Sequence, residues 1–171
     1  MNKFIKYIIF SSFAFFTNYA NADGQLNLVM SLNVIEKACI VSSDHKSLNV
    51  DLGRWSTKQF NKPNDTSLEQ YFEINLESCN ADLVKIRFTG KGTDFNKDYL
   101  ALNEDLNMQN IGIQIKDEQH KILPLNEFSS EKIITDQERN TLKFYANFIS
   151  HDGRITAGKV SSTATFQLYY D

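Results

Sequence analysis

From Gln25 onward, apolar and polar positions alternate with a period of two, as they do in strands buried on one face only. Leu26, Leu28, Met30, Leu32 and Val34 form the first row. Leu48, Val50 and Leu52 form the second and run into Gly53, a residue able to break or bend a strand. Further rows occur at Phe72, Ile74 and Leu76, at Val84, Ile86 and Phe88, and at Ile111, Ile113 and Ile115. Ile122 and Leu125 resume after the polar turn 116–121. The last two rows are Leu142, Phe144, Ala146 and Phe148, then Ala164, Phe166, Leu168 and Tyr170. A short strand is also expected around Tyr99–Leu102. Helical spacing is sustained nowhere, while Asn61–Asp65 and His151–Gly153 have the composition of turns. Seven or more short strands joined by polar turns predict an all-β sandwich.

The N-terminus breaks this pattern. Two lysines in Met1–Lys6 precede an aromatic and aliphatic run, Tyr7–Phe16, and Thr17–Ala22 closes on Ala20-Asn21-Ala22. A basic start, a short apolar core and a small-x-small end are the parts of a secretory signal peptide. The run falls short of the roughly 20 apolar residues that a spanning helix needs. Residues 1–22 are therefore expected to be a signal peptide, leaving one domain's worth of chain, Asp23–Asp171. Lys3 and Lys6 leave with the signal, which takes the formal charge from −3 to −5. A mildly acidic protein has no electrostatic reason to seek nucleic acid or anionic lipid, and no membrane insertion is expected once the signal is gone.

Candidate chemistry is sparse. Cys39 and Cys79 lie in the exported part, where an even cysteine count favours a disulfide over two separate buried thiols. Closing that loop is worth about 4 kcal/mol in the chain-entropy treatment. His45, His120 and His151 are scattered and show no metal-ligand spacing, so neither a metal nor a cofactor is expected. The sequence has no Gly-x-Ser-x-Gly, no His-Glu-x-x-His and no phosphate-cradling glycine loop. Carboxylates at Asp117-Glu118 and Asp136-Gln137-Glu138 have the setting of solvated turns. An enzyme is not expected. Trp55, beside Gly53-Arg54, has the place of a packing residue or loop anchor, with sugar binding as the alternative.

Several segments, in order, resemble the pilins of the bacterial chaperone–usher type, in particular type 1 fimbrial subunits. They are Cys39-Ile40-Val41, Val50-Asp51-Leu52-Gly53, Phe72–Cys79, Val84–Gly90, Ile111–Asp117, Leu142–Ala146, Ala157–Val160 and Ala164–Asp171. The C-terminal part is the most telling: Gly158 is the fourteenth residue from the end and Tyr170 is penultimate, as in that family. The likeness runs from about Gly24 to Asp171.

The resemblance implies an incomplete immunoglobulin-like sandwich that lacks its seventh strand, with an N-terminal donor-strand extension. The expected organisation is a signal peptide (1–22), a donor extension (23–37) and a pilin domain (38–171). A missing strand would leave an apolar groove and unpaired backbone along its neighbours. Donor-strand complementation between chaperones and pilins is an established mode of strand addition. The expected donor residues are Leu26, Leu28, Met30, Leu32 and Val34. Extended, residues 25–34 span roughly 33 Å at about 3.3 Å per residue. Burying five such side chains is worth on the order of 7–15 kcal/mol gross. Leu32 stands where many pilins have Gly, which suggests a roomier acceptor or a shifted register.

Gly158, Ala164, Phe166, Leu168 and Tyr170 are expected on the edge that a periplasmic chaperone would cover. The implied partners are neighbouring pilin subunits, that chaperone and an outer-membrane usher, and the implied route is through the periplasm into a surface fimbrium that contributes to adhesion. A minor tip-adaptor or terminator subunit is the alternative within the family. A self-sufficient secreted carbohydrate-binding module is the alternative outside it.

Overall fold

The computed structural model describes residues 38–103 and 110–171. Eight strands are present: β1 (Ile40–Val41), β2 (Gln70–Glu77), β3 (Leu83–Thr89), β4 (Leu100–Ala101), β5 (Ile111–Lys116), β6 (Lys132–Ile133), β7 (Arg139–Ser150) and β8 (Thr165–Tyr170). Single 3-10 turns at Ser43–His45 and Thr57–Gln59 are the helical elements of the described chain. One sheet has the order β1-β2-β7-β5-β4 and the other β6-β3-β8. All the pairings are antiparallel.

Alternation in the sequence sets which side chains point inward. Ile74 and Leu76 of β2, Leu142, Phe144, Ala146 and Phe148 of β7, and Ile111, Ile113 and Ile115 of β5 are buried on the inner face of the larger sheet. Val84, Ile86 and Phe88 of β3 meet them from the other sheet. Phe88 stands edge-on to Phe144 at 5.2 Å and to Phe72 at 6.1 Å, so aromatic contacts join the two layers. Edge-to-face pairs of this kind add about 0.5–1.5 kcal/mol each beyond the area they bury.

The rows beginning at Phe72, Val84, Ile111, Leu142 and Ala164 are placed as read, the 99–102 strand is reduced to β4, and Ile122 forms only an isolated bridge with Lys116. The row Leu48, Val50 and Leu52 is not a paired strand among the described residues. Its three side chains are half-buried and the residues between them exposed, but residues 46–51 form no rung of either sheet. The pattern is that of a strand facing a core, and among the described residues it has no hydrogen-bonded neighbour. Rung-forming residues were hardest to read in β1 and β6, which have two residues each, too few to show a period.

Cys39 and Cys79 are joined as a disulfide. Both are buried, and the bond ties the start of β1 to the turn between β2 and β3. Asn80 N–H donates to the Ala38 carbonyl at 3.0 Å and continues that tie in the backbone.

Candidate functional site

Between the sheets lies an apolar trench of about 400 Å³. One wall is the extended stretch 46–52, with Leu48, Val50 and Leu52 turned inward. The other wall is 162–166, where Ala164 and Phe166 turn inward. Phe72, Ile74, Phe88, Ile113, Ile115 and Ala146 form the floor. Gly53 (φ +82°) ends the first wall, in a backbone conformation that favours glycine. Trp55 secures that turn by donating its Nε1–H to the Leu52 carbonyl at 2.6 Å. Trp55 is half-buried against the core and so serves as a loop anchor.

The two walls share an unusual property. β8 forms a ladder with β3 along one edge, and its other edge has no strand among the described residues. Residues 46–51 likewise have no backbone hydrogen bond to another backbone group among the described residues. The inward side chains of β8 remain only half-buried, whereas their partners on β3 are fully buried: Phe166 faces Phe88, Leu168 faces Ile86 and Tyr170 faces Val84. A sandwich with a complete second layer would cover both rows equally. Unpaired backbone along a half-covered apolar row is the signature of an open sheet edge.

The trench is closed at one end. Asn103 N–H donates to the Ser161 carbonyl at 2.8 Å, and the Ser162 hydroxyl donates to the Ala101 carbonyl at 2.5 Å. Gly90 lies beneath this closure; a Cβ there would stand 2.5 Å from Leu100 Cδ1 and 3.4 Å from the Thr163 carbonyl oxygen. A side chain at position 90 would therefore force Leu100, which lines the trench, to shift.

Tyr170 secures the far end of β8. Its hydroxyl donates to the Cys39 carbonyl at 3.3 Å, linking the strand to the disulfide, and burial pushes its phenol upward from 10.0. The Asp82 and Leu83 amides donate to the Asp171 carbonyl oxygen at 3.1 and 3.2 Å.

Of the residues expected at the site, Ala164 and Phe166 line the trench, while Leu168 and Tyr170 continue the same row on β8. Gly158 is exposed and precedes β8 without belonging to it. The donor row Leu26, Leu28, Met30, Leu32 and Val34 lies outside the described residues, as do the whole of the 1–22 and 23–37 segments. The sequence reading missed the wall role of Leu48, Val50 and Leu52. Their alternation was visible, but nothing in it distinguishes an unpaired strand from a paired one. Among the described residues, no group of three or more His, Cys, Asp or Glu side chains converges to hold a metal ion.

The described residues form an antiparallel, immunoglobulin-like sandwich. Solved structures share it: the crystal structure of the P pilus rod subunit PapA aligns with a TM-score of 0.67 at 22% identity, covering 78% of this chain and 99% of that one. The fimbrial protein family matches residues 27–171, and the chain belongs to that family. Among its relatives, the fimbrial-like protein FimF of Salmonella typhimurium is 32% identical over 86% of each chain. The probable major fimbrial subunit LpfA of Escherichia coli O157:H7 is 25% identical over the full length of both. The protein is thus a structural pilin subunit of a fimbrium, a setting in which it contacts neighbouring subunits.

Proposed function

We propose that this subunit polymerises by donor-strand exchange in a chaperone–usher fimbria. Residues 23–37 of one copy, freed by removal of residues 1–22, enter the trench of the domain formed by 38–171 in the next. Leu26, Leu28, Met30, Leu32 and Val34 fill the floor while the donor backbone pairs with the open edges. A periplasmic chaperone covers the same edge before assembly, and an outer-membrane usher passes the subunit to the surface fibre.

The observation that carries this reading is the pair of walls, 46–52 and 162–166, each with an edge unpartnered among the described residues, on either side of an apolar floor. Insertion of one strand between them would satisfy both rows of backbone groups at once. The closure at Leu100 and Ser161 supports a fixed stopping point for the inserted strand. No step of this assembly makes or breaks a covalent bond.

The test uses the purified chaperone-bound subunit and a synthetic peptide covering Asp23–Lys37. The peptide should displace the chaperone and leave a complex that survives SDS without heating. A subunit that keeps its chaperone at saturating peptide would end this reading.

A further inference from the structure

The outer face of the larger sheet carries an aromatic row, on the opposite side of β7 from the trench because neighbouring side chains alternate across a sheet. Pairing register builds it: Tyr71 of β2 lies opposite Tyr145 of β7, and Tyr145 lies opposite Lys116 of β5. The Tyr71 and Tyr145 rings meet edge to face at 5.7 Å, and the His120 imidazole stacks on Tyr145 at 4.2 Å. Tyr71 is 48% exposed and the His120 side chain 55%. The turn 117–121 brings His120 over the sheet. There His120 has a left-handed backbone (φ +61°), and Asp117 Oδ1 accepts from the Gln119 and Lys121 amides, each at 2.9 Å.

Polar groups frame these rings and hold them in place. Lys116 Nζ donates to one Glu69 oxygen at 2.7 Å, and His120 Nδ1 donates to the other at 2.5 Å. The Tyr71 hydroxyl donates to Glu73, whose second oxygen accepts from Asn75 Nδ2 at 3.3 Å. A carboxylate oxygen has two lone pairs, and a neutral imidazole that donates through Nδ1 accepts at Nε2. Around the rings, the frame therefore offers mainly acceptors. Its charge is balanced: Lys116 pairs with Glu69, Lys143 stands opposite Glu73, and Glu118 pairs with Lys132 at 2.6 Å.

We infer that Tyr71, Tyr145 and His120, with Glu69 and Glu73, form a shallow binding site for a neutral saccharide. The negative face of an aromatic ring attracts polarised C–H groups, which line one side of a pyranose. Acceptors around the rings call for a ligand whose edge bears O–H donors. Balanced charge gives no pull on an anion or a cation, which sets an acidic sugar or an amine below a neutral one. Size also points to a small ligand. An aromatic side chain buries about 150–250 Å², so two exposed rings fall short of the roughly 800 Å² that a standard protein interface takes from each partner. This site rests on the folded sheet and not on strand exchange, since Tyr145 and its trench-side neighbours Phe144 and Ala146 point to opposite faces of β7.

The experiment uses the assembly purified from cells expressing the full chain with its export partners, in saturation-transfer difference NMR. The probes are the methyl glycosides of galactose, mannose and glucose, each beside counterparts carrying a uronate carboxylate or a 2-ammonium group. At least one neutral glycoside should receive saturation, strongest at the C–H protons of one ring face, and its charged counterparts at least threefold less. Tyr71→Val should cut that signal at least fivefold, while Tyr71→Phe, which keeps the ring, should retain most of it. His120→Asn keeps a residue suited to the left-handed turn and removes the stacked ring, so it should show an independent loss. No transfer to any neutral glycoside, equal transfer in Tyr71→Val and His120→Asn, or stronger transfer to a charged counterpart would each overturn the site. The SDS-resistant ladder reports separately on the trench: a normal ladder without sugar transfer rejects this site and spares donor-strand exchange. Transfer without a ladder does the reverse.

Discussion

Single side chains link the trench to the rest of the molecule. The Tyr170 hydroxyl, bonded to the Cys39 carbonyl, fixes the end of β8 to the disulfide. Tyr170→Phe should lower unfolding stability by about 1 kcal/mol, the net worth of one such bond, as read from the urea midpoint of the full chain. On the outer face of the larger sheet, Lys116 Nζ donates to Glu69 at 2.7 Å and His120 Nδ1 lies 2.5 Å from its other oxygen. Mainly through the Lys116 hydrogen bond, the Glu69 carboxyl is held below its ordinary value of 4.5. A carboxyl depressed in the folded state stabilises the fold above its unfolded pKa, and that contribution is lost as pH falls through the folded value. Lys116→Met should therefore raise the Glu69 midpoint in an NMR titration and weaken the acid dependence of stability below pH 4.5. The opposite sign holds at Tyr71, whose hydroxyl donates to Glu73 and whose phenol is raised to about 12. Glu73→Gln should bring that ionisation back toward 10.0 in an ultraviolet titration.

At the scale of elements, the same alternation does two kinds of work. In β7 it builds the core, where Phe144 is 3% exposed and packs on Phe72 and Phe88. Phe144→Ala should cost about 3–5 kcal/mol, the usual loss for emptying a buried aromatic site, measurable by denaturant unfolding. In residues 46–52 alternation builds a wall with no ladder among the described residues. Charged replacements at Leu28 or Met30 should abolish incorporation into fibres while leaving chaperone binding intact, as scored by the SDS-resistant ladder and by co-purification. Much of this is legible in the sequence itself. Strands β2, β3, β5, β7 and β8 are long enough to show their period, and Cys39 and Cys79 were paired on compartment alone. The open edge was legible only through resemblance, because hydrogen-bond partners are a property of topology. β1 and β6, with two residues each, carry no period to read. The cluster of Arg87 with Phe128, Gln167 and Tyr169 was invisible for a related reason: positions 87, 167 and 169 meet only when β3 and β8 pair, and Phe128 joins them through a separate bridge to Arg87.

For the molecule as a whole, the 39–79 disulfide is the one covalent constraint on the described fold. Breaking it with Cys39→Ser and Cys79→Ser together should cost about 4 kcal/mol on the chain-entropy argument, visible as a lower unfolding midpoint. The trench has a mechanical corollary. A strand seated lengthwise between residues 46–52 and 162–166 would be loaded in shear when a fibre is pulled along its axis. Its rungs and apolar anchors would then have to fail together, whereas a strand peeled from one end would lose them in turn. A filament joined this way would resist flowing liquid with no covalent bond between its links.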